Sequence, residues 1–264
     1  FALGGCVCAM LIISHGVNPI VALFAALAAG MMAGAVTGVL HTVLEIPAIL
    51  AGILTQISLW SVNLRIMSGK SNLPLLKLET LISGVSDSLN VTQAQASMVV
   101  GIIIAALLVM VLYWFFGTEL GSALRATGYN EDMIRALGVN TKNMKLLGLM
   151  VSNGLVSLSG ALVCQHQKYA DINMGRGAIV IGLASVIIGE VIFGARFNFA
   201  YQLGSIVAGS VIYQIVIAFV LQLGLSTEDL KLFSAVTVAL ALSVPALQKK
   251  FLKSKFTPVP AGKE

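Results

Sequence analysis

Eight apolar stretches, several of them long enough to cross a lipid bilayer, dominate this chain of 264 residues. Apolar residues make up 58% of the chain and charged residues only 10%, whereas about 25% of residues in soluble domains are charged. A membrane-spanning helix needs about 20 largely apolar residues. The stretches lie at 2–13, 19–40, 46–66, 95–116, 145–164, 178–193, 199–222 and 230–247. We therefore predict an all-α, polytopic transmembrane helical bundle with about eight spans.

The whole chain, 1–264, is predicted to be a single transmembrane domain. The first and sixth stretches are short for a span, and the sequence opens on Phe1 directly in apolar residues. We expect one further span upstream of Phe1. A cleaved secretory signal is disfavoured, because no basic residues precede the first apolar stretch.

Basic residues mark one side of the predicted bundle. Four lie in segment 117–145 and five in the tail 248–264, and Lys and Arg are enriched in cytoplasmic segments of membrane proteins. An even number of predicted spans separates the two segments, so both are expected in the cytoplasm, with loops 67–94 and 223–229 outside. Short helices are expected in loop 67–94. Nucleic-acid binding is not predicted, since the basic residues build no patch with interleaved aromatics.

Small residues recur at four-residue spacing in the second stretch, which lets two helix backbones approach closely. The stripe comprises Ala22, Ala26, Gly30, Gly34 and Gly38. Similar pairs, Gly204 with Ala208 and Ser205 with Gly209, occur in the seventh stretch. Together these stripes favour closely packed helices over separate membrane anchors.

No catalytic or metal site is predicted. Cys6, Cys8 and Cys164 lie inside apolar helices without metal-ligand spacing and are expected to pack in the interior. Lys70 lies in Gly-Lys-Ser, which resembles the end of a phosphate-binding loop, but Leu64 stands where that loop needs a glycine. No cofactor is therefore expected in this chain.

Segment 117–145 carries seven charged side chains between two apolar stretches, and capping rules predict a helix, a break and a second helix in it. Thr118 is predicted to cap a first helix that runs to Ala126. Gly128 is predicted to end that helix in the left-handed conformation.

Asn130 is predicted to cap a second helix over 130–137 that Gly138 closes. Its apolar residues Met133, Ile134 and Leu137 are expected on one exposed side. Two turns are too few for an independently stable helix in water, which suits docking into the groove of a partner. An amphipathic connector lying on lipid headgroups would present the same pattern, and the residues alone leave both open.

Two motifs in this segment resemble the cytoplasmic loop of a known family. They are Arg125-Ala126-Thr127-Gly128-Tyr129-Asn130 and, after Arg135, Gly138-Val139-Asn140. The chain thereby resembles the permease subunits of bacterial ATP-binding-cassette (ABC) importers for branched-chain amino acids and monosaccharides. Ile46-Pro47-Ala48-Ile49-Leu50 and the glycines Gly182, Gly189 and Gly194 also fit that family. Within it, the chain is most similar to permeases encoded beside tryptophan/tyrosine-type binding lipoproteins.

The resemblance implies a permease in the bacterial cytoplasmic membrane that carries an amino acid, with aromatic ones favoured. Its partners would be a second permease copy in a homodimer, two ATPase subunits that bind ATP and Mg²⁺, and an extracytoplasmic binding lipoprotein. Coupling to the ATPase would fall to Arg125, Gly128, Asn130, Met133, Ile134, Arg135, Leu137 and Gly138. The permease itself would not be an enzyme.

Two residues depart from the family pattern. Ile134 stands where a small residue is usual, and Glu190 follows Gly189 where the family often has a second glycine. A carboxylate inside a membrane is costly unless it is paired, so pairing of Glu190 with Arg196 is favoured. A side chain that extends to the membrane surface is the alternative.

Uncharged polar residues inside the spans are candidates for a translocation path. Gln56 and Asn63 share one helix face, as do Asn153 and Ser157, and Gln214 lies in the seventh stretch. Hydroxyl and amide groups suit a neutral or zwitterionic solute. Hydrogen bonding between helices would explain the same residues, and that alternative stays open.

Two other functions are compatible with these patterns. An ion-gradient-driven secondary transporter or channel would need ionisable groups within the membrane, for which Glu190 is the candidate. A non-transporting membrane scaffold would need no polar path at all.

Overall fold

The computed structural model describes residues 1–76, 78–193, 199–222 and 236. The elements are α1 (Ala2–His15), α2 (Pro19–Thr42), α3 (Ala48–Ile66), β1 (Asn72–Pro74), α4 (Leu81–Leu89), α5 (Gln93–Gly117), α6 (Glu119–Tyr129), α7 (Glu131–Ala136), α8 (Thr141–Gln167), β2 (Tyr169–Asp171), α9 (Ala178–Phe193) and α10 (Phe199–Gln222). The helical class predicted from the apolar stretches is confirmed. A two-stranded antiparallel sheet of β1 and β2 was not predicted.

Five helices in the described part of the chain are long and apolar enough to cross a membrane, namely α2, α3, α5, α8 and α10. Helices α1 and α9 are apolar but shorter, with 14 and 16 residues. The chain is thus a multi-pass membrane protein. The predicted span 230–247, loop 223–229 and tail 248–264 lie outside the described residues.

Local sequence sets several helix ends. The Asn18 side chain accepts a hydrogen bond from the Ile20 N–H at 3.0 Å, and Pro19 occupies the first turn of α2, where its missing N–H costs nothing. Helix α4 begins with a capping box between Thr80 and Ser83, in which each residue bonds the other's backbone. Helix α4 is a short helix of the kind expected in loop 67–94, and α5 begins at Gln93 near the end of that loop.

The chain divides into two compact units, 1–176 and 177–264. The core of the first unit is formed by α1, α2, α8 and the residues around the small sheet. It consists of Cys6, Cys8, Ala9, Ile12, Ala22, Leu23, Ala26, Met67, Leu73, Leu75, Ala161, Cys164 and Ala170. The three cysteines are free and fully buried in it, which confirms their predicted role in packing.

Helices α2 and α8 pack along the predicted small-residue stripe. A Cβ atom on Gly34 would lie 2.8 Å from the Met150 Cα, and one on Gly30 would lie 2.6 Å from the Asn153 carbonyl oxygen. Real Cβ atoms do not approach other atoms so closely. The Ser157 hydroxyl donates to the Ala26 carbonyl across this contact at 2.6 Å. Glycine is therefore required here because the two backbones nearly touch.

The small sheet fixes which helix ends lie together. Asn72 pairs with Asp171 and Pro74 with Tyr169, so the segments that follow α3 and α8 meet at one end of the first unit. At the opposite end, the Lys142 ammonium lies 3.3 Å from a Glu45 carboxylate oxygen. The α2–α3 loop thus lies at the same end as the start of α8.

Helices α9 and α10 form the described part of the second unit and cross at glycines. A Cβ atom on Gly209 would lie 2.6 Å from the Gly189 backbone nitrogen, and Ser205 is buried. The predicted pair of Ser205 with Gly209 therefore lies in a helix contact. Gly204, from the other predicted pair, has no neighbour within 4 Å of its Cβ position.

Replacing Gly34 by Ala should lower the stability of the first unit, because the added methyl group collides with the α8 backbone. Overpacking of this kind costs about 1–3 kcal/mol. The matched control is Gly52→Ala in α3, where a Cβ atom meets nothing within 4 Å and helix propensity should add up to about 1 kcal/mol. Thermal unfolding in lipid nanodiscs measures both. Equal midpoints for the two variants would contradict the proposed close contact.

Candidate functional site

The segment between α5 and α8 forms two helices separated by Asn130. The Thr118 side chain caps α6 by accepting a hydrogen bond from the Gly121 N–H at 3.2 Å, as predicted. Helix α6 continues to Tyr129, three residues beyond the predicted end at Ala126. The prediction that Gly128 ends the helix is wrong, because Gly128 lies within α6.

Helix α7 is short and capped at both ends. The Asn130 side chain accepts a hydrogen bond from the Met133 N–H at 3.0 Å, which confirms the predicted cap. The helix has six residues, and Gly138 follows it with a φ of +85°, a conformation that glycine adopts without strain. Asn140 then caps α8 through bonds from the Lys142 and Asn143 N–H groups.

The apolar residues of α7 do not share one exposed side. Leu137 is 71% exposed and Met133 50%, but Ile134 is only 5% exposed. The prediction that Ile134 is displayed with the other two is therefore wrong. Its branched side chain faces the chain itself, and the exposed apolar surface of this turn is formed by Met133 and Leu137. Arg125, Asn130 and Arg135 are also exposed.

Glu131 ties α7 to the start of α8. One of its carboxylate oxygens accepts a hydrogen bond from the Arg135 guanidinium at 3.0 Å, and the other accepts from the Lys145 ammonium at 2.6 Å. Arg135 also donates to the Thr141 hydroxyl at 3.4 Å. The hydrogen bonds from Lys145 and then Thr141 lower the pKa of the Glu131 carboxyl below its usual value. The carboxylate is therefore charged at neutral pH, and its two contacts link α7 to the first turns of α8.

The predicted path residues of α8 are already engaged in contacts within the chain. The Asn153 amide donates to the Leu149 carbonyl at 2.9 Å, and the Ser157 hydroxyl bonds α2 as described above. The structure therefore favours the packing alternative for Asn153 and Ser157.

The predicted path residues of α3 differ from those of α8. Gln56 is exposed, whereas Asn63 is only 4% exposed. Among the described residues, the Asn63 side-chain oxygen is the buried side-chain polar atom that has no hydrogen-bond partner. Buried polar groups without partners are rare and call for an explanation. Among the residues predicted to line the translocation path, Asn63 is thus the strongest candidate for contact with a solute.

Two remaining predictions fall in the second unit. Gln214 is exposed on α10, and Glu190 is exposed near the end of α9. The predicted pairing of Glu190 with Arg196 lies outside the described residues.

Sequence reasoning missed the charged contacts between elements. The Glu131–Arg135 pair has the four-residue spacing of a helical ion pair, so its spacing could have revealed it. Lys145 lies 14 residues from Glu131, and Lys142 lies 97 from Glu45. No local spacing rule predicts either contact.

Comparisons with known proteins give a consistent result. The sequence profile of a family described as "branched-chain amino acid transport system / permease component" matches residues 1–244. The chain is 38% identical over 248 residues to a tyrosine transport system permease protein of Clostridioides difficile, covering 94% of this chain and 80% of that protein. A galactofuranose transporter permease protein of Escherichia coli is 31% identical over 100 residues, 36% of this chain and 29% of its own length. No solved structure shows significant similarity.

Replacing Glu131 by Gln should loosen α7 from α8, because the neutral amide holds Lys145 and Arg135 less strongly. Backbone amides of residues 131–138 should then exchange hydrogen faster at pH 7 than in the original chain. A carboxyl with a lowered pKa contributes stability above its unfolded pKa, and this is lost as the pH falls through the folded value. The original chain should therefore approach the variant as the pH falls below the usual range of a glutamate carboxyl, after correction for intrinsic exchange rates.

Asp132→Gln is the matched control, since Asp132 is an exposed acid of the same helix that takes part in none of the three ion pairs of the described residues. Faster exchange in both variants would show that loss of negative charge in the first turn, rather than the Glu131 contacts, governs the stability of α7.

Proposed function

The chain belongs to the permease-component family of branched-chain amino acid transport systems, and on that premise we propose how it works in an ABC importer. The helices of this chain form the membrane path, while a separate ATPase subunit binds and hydrolyses ATP with Mg²⁺. The chain acts as a transport subunit rather than as an enzyme.

Segment 117–145 receives the force of ATP hydrolysis through α7. The observation that carries this proposal is the surface of Met133 and Leu137, two exposed apolar side chains on a helix too short to be stable alone. An ATPase groove that covers them would bury apolar area. Arg125 and Arg135, both exposed, would contribute polar contacts at the rim, and Gly128, Asn130 and Gly138 shape the backbone. Ile134 would act inside the chain, as part of the contact between α7 and its own permease.

Glu131 transmits the movement to the membrane. Because its carboxylate contacts both Arg135 on α7 and Lys145 on α8, a push on α7 is passed to α8. Helix α8 in turn packs closely against α2 at Gly30 and Gly34. Displacement of α8 would therefore tilt α2 with it and change the side to which the path opens.

The transported substrate is an amino acid, with aromatic ones favoured. Similarity to a tyrosine transport permease over 94% of this chain supports this choice. The polar candidates of the path are uncharged, which suits a neutral or zwitterionic solute. Of the predicted path residues, Gln56 and Asn63 on α3 are retained, while Asn153 and Ser157 are assigned to packing and Gln214 remains a candidate in the second unit.

The complete transporter contains two copies of this permease, two ATPase subunits and an extracytoplasmic binding lipoprotein. It lies in the bacterial cytoplasmic membrane, with segment 117–145 and the C-terminal tail on the cytoplasmic side. Two contacts support the placement of the described loops. The sheet of β1 and β2 joins the loops of one side, and the contact of Lys142 with Glu45 joins those of the other.

Leu137→Asp should abolish coupled transport, because a charged side chain cannot be buried in an apolar groove without a large desolvation cost. In proteoliposomes that contain the permease, the ATPase and the binding lipoprotein, uptake of radiolabelled tyrosine should fall about tenfold or more. Basal ATP hydrolysis by the ATPase should persist. Arg135→Glu should produce the same uncoupling.

Leu120→Asp in α6 is the matched control, since Leu120 is a 54% exposed leucine of the same segment. It should leave uptake nearly unchanged. If Leu137→Asp transports as well as the control, docking through α7 is wrong. If a probe attached at Leu137 inserts into lipid in the assembled transporter, the segment is instead a headgroup connector.

A further inference from the structure

Along one face of α3, the side chains change from buried at the C-terminal end to exposed near the middle of the helix. Gln56, Trp60, Asn63 and Met67 follow one another at spacings of four, three and four residues, which places them on one face of the helix. Met67 is fully buried, Asn63 is 4% exposed and Trp60 is 39% exposed, while Gln56 is exposed. The stripe is therefore closed at the end nearest β1 and opens toward the middle of the helix.

Arg176 lies over this stripe where it begins to open. Its guanidinium carbon is 5.3 Å from the centroid of the Trp60 ring, within the distance of a cation–π contact. The loop that carries Arg176 is held in place by the pairing of Asp171 with Asn72 and by the Arg176 N–H, which donates to the Asn173 carbonyl at 2.8 Å. The position of this cation is thus set by the sheet.

Arg176 has no carboxylate partner in the described part of the chain. The three ion pairs found there involve only Glu45 and Glu131 as acids. Asp171, the acid nearest in sequence, accepts a hydrogen bond from the Asn173 N–H at 2.6 Å. A guanidinium offers five N–H donors in a planar fork that matches a carboxylate. The Trp60 ring supports the charge but satisfies none of these donors.

Asn63, one helical turn from Trp60, lacks a hydrogen-bond donor rather than an acceptor. Its side-chain oxygen is buried and lacks a donor, although a buried acceptor is normally satisfied. On this face of α3, Trp60 therefore contacts a cation that lacks a carboxylate partner, and one turn later Asn63 carries a carbonyl oxygen that lacks a donor. One small molecule with both a carboxylate and an ammonium group would satisfy both.

We infer that Arg176, Trp60 and Asn63 form a recognition site for a zwitterionic amino acid at the closed end of α3. The substrate carboxylate pairs with Arg176, its ammonium donates to the Asn63 oxygen, and an aromatic side chain packs against Trp60. This inference rests on the proposed transport function and names the residues that would recognise the amino acid it carries. Because the Asn63 oxygen is buried in this state, binding requires that side chains around Trp60 move to expose it.

The environment of Trp60 reports directly on this movement. The chain contains two tryptophans, Trp60 and Trp114, so Trp114→Phe leaves Trp60 as the single tryptophan. The purified full chain in nanodiscs, excited at a wavelength selective for tryptophan, is titrated with L-phenylalanine. A saturable change in Trp60 emission is expected. Phenethylamine, which lacks the carboxylate, should bind about tenfold more weakly or worse.

Variants at two arginines separate a specific role from a general loss of charge. In the Trp114→Phe background, Arg176→Gln should abolish the response to L-phenylalanine, and Arg176→Lys should weaken it because the planar fork is lost. Arg65→Gln removes an exposed cation from the same end of α3 and should leave the response intact. Three results would overturn the inference: no response in the parent, equal binding of phenethylamine, or equal effects of Arg65→Gln and Arg176→Gln.

Transport assays show whether a negative result contradicts the recognition site or the proposed transport function. If Arg176→Gln removes stimulation of the ATPase by the binding lipoprotein but leaves the titration unchanged, Arg176 serves docking and the recognition site is wrong. If the parent permease transports without any ATPase, the proposed function fails while the titration still decides the recognition site.

Discussion

The close approach of α2 and α8 is the contact on which the first unit depends. Lipid tails are as apolar as the helix surfaces, so burial of apolar area does little to hold two helices together in a bilayer. Close contact between the two backbones holds them together instead. This contact requires that Gly30 and Gly34 lack side chains. The hydrogen bond from Ser157 to the Ala26 carbonyl crosses the same contact. Helices α8 and α2 are therefore held against each other by backbone contact and by one hydrogen bond.

The close packing of α2 and α8 bears on the role proposed for segment 117–145. Helix α7 is too short to be stable alone, yet its ends are fixed by Asn130 and by the turn at Gly138, and Glu131 joins it to α8. Charged contacts at an aqueous boundary are suited to this task, since they form outside the lipid where ions are solvated. The opposite end of α8 continues into β2, whose pairing with β1 fixes the loop of Arg176. One helix thus connects the proposed docking surface with the proposed recognition site.

Local features were predictable from the sequence, and contacts between distant segments were not. The apolar stretches predicted the helical class, and five of them correspond to described helices long enough to cross a membrane. The predicted caps at Thr118 and Asn130 were confirmed, because each depends on residues three positions away. Gly128 misled because a glycine can also lie inside a helix when nothing forces the chain to turn. Burial of Ile134 results from the fold of α7 against its own chain, which the amphipathic pattern cannot distinguish from exposure to a partner. The pairing of β1 with β2 joins strands separated by almost one hundred residues.

The difference between local signals and distant contacts also explains which polar residues of the spans have hydrogen-bond partners. A polar side chain in a membrane helix predicts that a hydrogen bond is needed but not where its partner lies. Asn153 and Ser157 find partners on α8 itself and on α2, which accounts for them without any solute. Asn63 has the same amide group, but its oxygen lies in the interior without a donor. Its neighbour on the stripe, Trp60, contacts a cation that lacks an acid in the described residues. The recognition site proposed on α3 thus uses groups that lack a partner among the described residues, whereas Asn153 and Ser157 on α8 each have one.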